Sequence, residues 1–110
     1  MEISIHDFGQ VSVVKVKGQV DSANAPDLET ALKQLVEGNK NRIVLDLKEV
    51  DYLSSLGMRA IILTLKSVRR VNGDLRLASP SASVEQVFRI VGMTQMFNIY
   101  SSGEEAVASF

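Results

Sequence analysis

Apolar residues recur at helical spacing in four segments of the chain, and each segment is bounded by capping or breaking residues. The first segment predicts a helix over Ala25–Glu37. Asn24 is the expected cap, Pro26 suits the first turn, and Gly38 is expected to end the helix. Its apolar face carries Leu28, Leu32, Leu35 and Val36.

The second segment predicts a helix over residues 55–71, with Asn72-Gly73 as its stop. Its apolar stripe is wide, so we expect this helix to be the most buried of the four. The stripe consists of Leu56, Met58, Ala60, Ile61, Ile62, Leu63, Leu65 and Val68.

The third and fourth helices are each expected to begin at a serine. Ser83-x-x-Gln86 is typical of a capping box, and the helix that follows it is expected to end at Gly92. A short fourth helix is expected after Ser102, with Glu105 as its capping partner. The apolar face of the third helix carries Val84, Val87, Phe88 and Val91.

Apolar and β-branched runs between the helices predict the strands. They cover residues 11–16, 43–47, 75–78 and 97–100, with a weaker strand at 3–5. Strands and helices alternate, which predicts an α/β fold with a mixed, mostly parallel sheet of about five strands and about four helices. The run Ile43-Val44-Leu45 is continuously apolar, as a strand covered on both faces requires, so we place it centrally. The first strand is joined to the second by Asp7-Phe8-Gly9-Gln10, and the shortness of this turn predicts an antiparallel pair.

Composition narrows the possible functions. A chain of 110 residues, 45% hydrophobic and 23% charged, predicts one domain over residues 1–110 with a single core. The net charge of −1 and the absence of Trp argue against a nucleic-acid partner. There is no Cys and only one His, so disulfides and thiolate metal sites are excluded, and we expect neither metal nor cofactor. The chain shows no signal peptide and no apolar stretch of membrane-spanning length, which predicts a cytoplasmic protein without a membrane partner.

Two adjacent serines, Ser54 and Ser55, lie between a predicted strand and the second helix. Either could simply cap the helix, because Ser is among the favoured N-cap residues. Alternatively, one could carry a phosphate, since the unpaired N–H groups and the dipole of a helix N-terminus tolerate an anion. A nucleophilic serine is disfavoured because Leu53 stands where the G-x-S-x-G elbow needs its first Gly, and no enzyme activity is expected.

A second polar run, Gly18-Gln19-Val20-Asp21-Ser22-Ala23-Asn24, leads from the second strand into the first helix. It is either an ordinary strand exit or part of a site. If the strands are parallel, this run and the start of the second helix both lie at the carboxyl ends of strands, where α/β sheets place their sites. We therefore expect the two runs to be neighbours in space.

In these two runs the chain resembles the STAS family, and within it the bacterial anti-sigma factor antagonists. Gly18-Gln19-Val20-Asp21 is similar to the family's Gly-x-hydrophobic-Asp turn, and residues 52–58, Tyr-Leu-Ser-Ser-Leu-Gly-Met, are similar to its Asp-Ser-Ser/Thr-Gly-Leu signature. The likeness extends from the first strand through the Gly92-Met93 turn to the final helix. It implies a regulator that is phosphorylated on serine by a kinase that is also the anti-sigma factor, and that is dephosphorylated by a metal-dependent serine phosphatase.

Matched to this sequence, the resemblance implies that Ser55 is the phosphoacceptor, with Ser54 as second choice. Gly57 is the glycine at the start of the helix, and Asp21 is the acidic residue of the first turn. Two positions depart from the family pattern. Ser54 stands where the family most often has Asp, and Leu56 replaces a small Ser or Thr.

The expected partner-binding residues surround Ser55. We expect the unmodified protein to dock through Ser55 and its apolar neighbours, with polar contacts at the rim. Arg59 follows Ser55 by four residues, so it either reaches a phosphate there or is an ordinary exposed residue of a basic helix face. The full set is Asp21, Ser22, Asn24, Leu53, Ser54, Leu56, Gly57, Met58 and Arg59.

Three functions remain open. The first is a phosphorylation-controlled regulator that binds an anti-sigma factor with serine kinase activity and is released by phosphorylation. The second is a constitutive scaffold or interaction subunit without a switch. The third is a small nucleotide or anion binder that uses the same helix N-terminus. For the regulator we expect a monomer that pairs with another protein.

Overall fold

The computed structural model describes residues 1–90, 92 and 94–110. Val91 of the predicted third helix and Met93 of the predicted Gly92-Met93 turn lie outside the described residues. The elements follow one another in the order β1 (Glu2–Phe8), β2 (Val11–Val20), α1 (Ala25–Glu37), β3 (Arg42–Leu53), α2 (Ser55–Arg69), β4 (Asp74–Ala78), α3 (Ala82–Ile90), β5 (Ile99–Tyr100) and α4 (Gly103–Ala108).

The five strands form one mixed sheet in the order β1-β2-β3-β4-β5. β1 pairs with β2 antiparallel, and the other three pairings are parallel. The predicted fold class is therefore confirmed, as are the antiparallel first strand and the central position of Ile43-Val44-Leu45. These three residues are fully buried because helices cover both faces of β3 at this point.

Helices pack on both faces of the sheet. Side chains alternate between the faces along a strand, so Val14 and Leu45 join the larger core while Val13 and Val44 join the smaller one. The larger core also holds the apolar faces of α1, α2 and α3, and the smaller one holds Ala106 of α4. The larger core extends to Val20 and Leu53, the last residues of β2 and β3.

α2 is the most buried helix, as predicted, with seven buried residues against three in α1. Its buried stripe is narrower than predicted, however. Leu56 and Leu63 are 46% and 42% exposed, because they lie on the side of α2 that turns away from the sheet. The helix ends at Arg69, ahead of the predicted Val71, and Asn72 at φ 63° completes the turn into Gly73.

Two of the predicted helix caps are wrong. Ser81 caps α3, since its Oγ accepts from the Val84 N–H (3.3 Å), and Ser83 lies inside the helix. Asn24 stands at the N-cap position of α1, but its side chain makes no capping bond and is used in the preceding turn. At α4 the prediction is confirmed, because the Ser102 Oγ accepts from the Glu105 N–H (3.1 Å).

Several strands differ in length from the prediction. β1 covers Glu2–Phe8 and leaves only Gly9 and Gln10 for the turn, while β5 is reduced to Ile99–Tyr100. β3 continues to Leu53 through polar residues that interrupt the apolar pattern. Two register shifts against β2 accommodate these residues, and at the first of them the Asp46 side chain accepts from the Lys48 N–H (3.0 Å). The extended β3 brings Ser54 and Ser55 to the end of β2.

Candidate functional site

The two polar runs singled out in the sequence meet at one edge of the sheet. β2 and β3 end side by side, with Val20 paired to Leu53, and the Ser54 N–H donates to the Val20 carbonyl (2.8 Å). The expectation that these runs are neighbours is confirmed. The β2–α1 turn and the first turn of α2 therefore form a single surface at the carboxyl ends of two parallel strands, the usual location of sites in α/β sheets.

Ser54 is the N-cap of α2. Its backbone is extended (φ −74°, ψ 166°), and its Oγ accepts from the Gly57 N–H at 3.1 Å. The Ser54 carbonyl accepts from the Met58 N–H at 2.9 Å, which closes the first turn. Because Ser54 is only 5% exposed and its hydroxyl is occupied, it is not accessible to a kinase in this conformation. Exposure therefore favours Ser55 over Ser54, the second choice, as the phosphoacceptor, and the phosphorylation site stays a prediction.

Ser55, the next residue, is exposed. It is the first residue of α2, and the first turn contains no acidic side chain. Nothing charged in that turn opposes an additional anion, and the positive end of the helix dipole favours one. Ser54 thus caps the helix, and Ser55 is exposed at the surface.

Gly57 is required by packing within the chain. A Cβ built at this position would lie 2.7 Å from Cγ1 of Val20 and 2.8 Å from Cδ1 of Leu53. Both of these side chains are buried. The missing side chain lets α2 begin directly against the ends of β2 and β3. The space beside Gly57 is thus filled by Val20 and Leu53, which gives this glycine a packing role, and its contact with a partner stays a prediction.

Asp21 and Asn24 bind each other across the β2–α1 turn. The Asn24 N–H donates to Oδ1 of Asp21, and the Asp21 N–H donates to Oδ1 of Asn24, both at 2.9 Å. The Asn24 amide also donates to the Gln19 carbonyl (2.9 Å). Both residues are half-buried, and these bonds fix the shape of the turn. Ser22, between them, is exposed, as the predicted polar rim requires.

The apolar residues around Ser55 differ in their exposure. Leu53 and Met58 are 4% and 5% exposed and belong to the larger core, which leaves them little surface for the predicted contact with a partner. The physical reason is the helical period, which turns Met58 inward towards the sheet while Leu56 faces outward. Leu56 is thus an exposed apolar side chain directly beside Ser55.

Two further side chains contribute to this edge. Arg59 is exposed on α2, one helical turn after Ser55, and none of the salt bridges in the described part of the chain involves it. Tyr52 is 53% exposed and is aligned with Gln19 at the end of β2. Tyr52 was absent from the predicted site because only the register shifts in β3 determine that it faces solvent. We call Ser22, Tyr52, Ser55, Leu56 and Arg59 the switch surface.

The sequence profile of the STAS domain family matches residues 2–106. The chain belongs to the STAS domain family. BtrV of Bordetella bronchiseptica, which is named for a proposed anti-sigma factor antagonist role, is 36% identical over 110 residues, which are 100% of this chain and 95% of BtrV. The anti-sigma-B factor antagonist of Bacillus subtilis is 33% identical over 95 residues, which are 86% of this chain and 85% of that protein.

Solved structures of related proteins share the fold. A Thermotoga maritima protein, described as a proposed anti-sigma factor antagonist, superposes with a TM-score of 0.92 at 22% identity, over 97% of this chain and 92% of that one. The anti-sigma factor antagonist SpoIIAA has been solved in unphosphorylated form (TM-score 0.84, 18% identity, 96% and 93% covered). SpoIIAA, described as a Bacillus cell fate determinant, has also been solved in phosphorylated form. That structure has a TM-score of 0.80 at 15% identity, over 98% of this chain and 98% of that one.

Metal-ligand groups and membrane-spanning helices were sought in the residues that the structure describes. Among residues 1–90, 92 and 94–110, no group of three or more His, Cys, Asp or Glu side chains is arranged to hold a metal ion. Within the same residues, no helix combines the length and the apolar character needed to cross a membrane. The function proposed below is based on the switch surface, where Ser55, Leu56 and Tyr52 are exposed.

Proposed function

We propose that this STAS domain is a non-catalytic anti-sigma factor antagonist controlled by phosphorylation of Ser55. In this proposal the unphosphorylated domain binds an anti-sigma factor with serine kinase activity, phosphorylation releases it, and a serine phosphatase restores binding. The observation that carries the proposal is the exposed Ser55 hydroxyl at the first residue of α2, beside the exposed Leu56. The names of BtrV and the Bacillus subtilis relative support the antagonist role, and the phosphorylated form of SpoIIAA supports the modification.

A phosphate on Ser55 would change binding without unfolding the free domain. It adds about 1.5 to 2 negative charges at the positive end of α2, where the free protein tolerates them. In a docked complex the same charge would be buried against the partner, which costs several kcal/mol unless a cation meets it. Reversing a population from 1:99 to 99:1 requires about 5.5 kcal/mol of differential affinity, so one phosphate can supply a large part of the switch.

The departure from the family signature at Ser54 is compatible with this mechanism. Ser and Asp are about equally good N-cap residues, and the Ser54 hydroxyl binds the Gly57 N–H (3.1 Å). Helix α2 is therefore capped without the Asp carboxylate that the family most often has at this position. Its loss removes a negative charge from the residue preceding the phosphoacceptor, and it leaves the exposure of Ser55 intact.

Arg59 is the residue best placed to meet the phosphate in the free domain. Helical side chains lean towards the N-terminus, so a residue four positions after Ser55 lies on the same face, one turn away. We expect the phosphate of the modified protein to titrate at lower pH than in an Arg59→Ala variant, because the guanidinium stabilises the dianion. Phosphorus NMR measures this directly, and equal phosphate pKa values in the two proteins would contradict the contact.

The modification is tested by intact mass and peptide mapping of the protein purified from its own cells. We expect a single phosphate on the peptide that contains Ser54 and Ser55, and its loss in Ser55→Ala. An unmodified peptide under all growth conditions, or a phosphate on Ser54, would refute the proposed site.

The switch is tested by titrating purified variants with the purified cellular partner. Ser55→Ala should bind the partner permanently and Ser55→Asp should lose binding. Ser67→Asp places the same charge three turns further along α2 and should bind as the unmodified protein does. A constitutive scaffold would bind equally well in all three variants, which would exclude the switch.

In the proposed role the protein is cytoplasmic, and it is a monomer when no partner is bound.

A further inference from the structure

A polar cavity lies at the end of the sheet opposite the switch surface, where β3 and β4 begin. It has a volume of about 370 Å³ and is bordered by the start of β3, the end of α2, the start of β4 and the Phe110 side chain. The residues that line it are Arg42, Arg69, Asn72, Gly73, Asp74, Arg76 and Phe110. None of them belongs to the switch surface, so the proposal for this cavity does not rest on the function proposed above.

Asp74 holds two of the three arginines in place. Its Oδ1 accepts from Nε of Arg69 (3.1 Å) and its Oδ2 accepts from Nε of Arg76 (3.0 Å). The Leu75 N–H and the Asn98 amide supply one further bond to each oxygen. Because the carboxylate is saturated with donors, its charge is largely neutralised towards the cavity.

The guanidinium groups retain unused donors. Both contacts to Asp74 go through Nε. Among the described residues, the terminal nitrogens of Arg69 have no hydrogen-bond partner, while Arg76 uses Nη1 for the Ser109 hydroxyl (2.7 Å) and has none for Nη2. The Phe110 ring lies against Arg76, with Cζ 4.0 Å from the ring centroid, and restricts its motion. Arg42 is exposed and forms no salt bridge within the described residues.

The charges favour an anion over a cation. Among the side chains that line the cavity, three guanidinium groups and one carboxylate leave two positive charges. A cation would need free oxygen ligands, but both Asp74 oxygens are occupied, and the last carbonyls of α2 already accept from the N–H groups of residues 70–73. Arginine presents several donors in a planar fork. This arrangement suits a tetrahedral oxyanion, which has several oxygen acceptors, better than it suits a monoatomic anion.

We propose that this cavity binds a phosphate dianion, either inorganic phosphate or the phosphoryl group of a small phosphomonoester, between Arg42, Arg69 and Arg76. The volume exceeds that of phosphate alone and is within the range of small-molecule sites. Arg42 closes the site from the β3 side, and Asp74 positions the other two arginines.

The site is tested by NMR titration of the full chain with inorganic phosphate and, separately, with glycerol 2-phosphate, at constant ionic strength. We expect saturable shifts of the Gly73 and Asp74 amides and of the Nε–H signals of Arg69 and Arg76. Arg42→Gln should weaken binding by about tenfold or more. The matched control is Arg70→Gln. Arg70 follows Arg69 in the chain, is exposed and does not line the cavity, so this variant loses the same charge outside the site.

The outcomes separate the proposal from a purely structural role for the arginines. If glycerol 2-phosphate binds more tightly than inorganic phosphate, the cavity holds a phosphomonoester; if the order is reversed, it holds free phosphate. A titration without saturation would overturn the proposal, as would an equal loss of affinity in Arg42→Gln and Arg70→Gln. Thermal melting of both variants verifies folding, and because Arg42 forms no salt bridge in the described residues, its replacement is expected to leave stability unchanged.

Discussion

The different roles of Ser54, which caps α2, and Ser55, which is exposed, can be tested by measuring stability. Ser54→Ala removes the acceptor of the Gly57 N–H, a bond of 3.1 Å in a buried position. The unpaired N–H and the lost cap cost about 1 to 2 kcal/mol. For a domain of this size that loss lowers Tm by about 4 to 8 °C. Ser55→Ala changes an exposed side chain and should alter the free energy of unfolding by less than about 0.5 kcal/mol.

Urea unfolding followed by circular dichroism measures both variants, and equal slopes with urea verify that each unfolds as the wild type does. Ser54→Asp is the rescue variant, because Asp caps about as well as Ser and its charge suits the helix N-terminus. It should recover most of the lost stability at neutral pH. The reasoning is refuted if Ser54→Ala is as stable as the wild type, or if Ser55→Ala loses as much as Ser54→Ala.

Three further predictions concern the residues that position the two ends of the sheet. Burial alone would raise the pKa of Asp74, but the hydrogen bonds from the Arg76 and Asn98 side chains and the charge of Arg69 more than offset it, and the pKa lies below the ordinary 3.8. The stabilisation is therefore present above pH 3.8 and is lost as the pH falls through the lower folded-state value. The difference in unfolding free energy between wild type and Asp74→Asn should shrink on acidification, and a constant difference would contradict this. Gly57→Ala should lower stability by about 1 kcal/mol, because the overpacking exceeds the gain in helix propensity; a higher urea midpoint would show the reverse. Asn24→Ala removes two side-chain hydrogen bonds of the β2–α1 turn and should cost about 1 to 2 kcal/mol in the same assay, and an unchanged midpoint would show that the turn holds its shape without them.

The elements with strong local signals could be predicted from the chain alone. The bounds of α1, the order of strands and helices and the central position of Ile43 follow from periodicity and from breaking residues such as Gly38. The same is true of the meeting of the two polar runs, because parallel strands place their carboxyl ends at one edge.

Exposure within the candidate site could not be predicted in this way. Leu53, Leu56 and Met58 are all apolar and adjacent to Ser55, and only the orientation of α2 on the sheet determines which of them reaches solvent. The register shifts in β3 likewise determine that Tyr52 is exposed. Both depend on contacts between residues far apart in the chain.

What the sequence by itself determined, then, is the alternation of elements, the class of fold and the position of the two serines, since these depend on side-chain type and local spacing. Only the tertiary structure decided that Ser54 caps α2 while Ser55 is exposed, and that three arginines and Asp74 line one cavity. The physical reason is that burial and charge pairing are properties of a position in space, to which residues from separate strands and helices contribute.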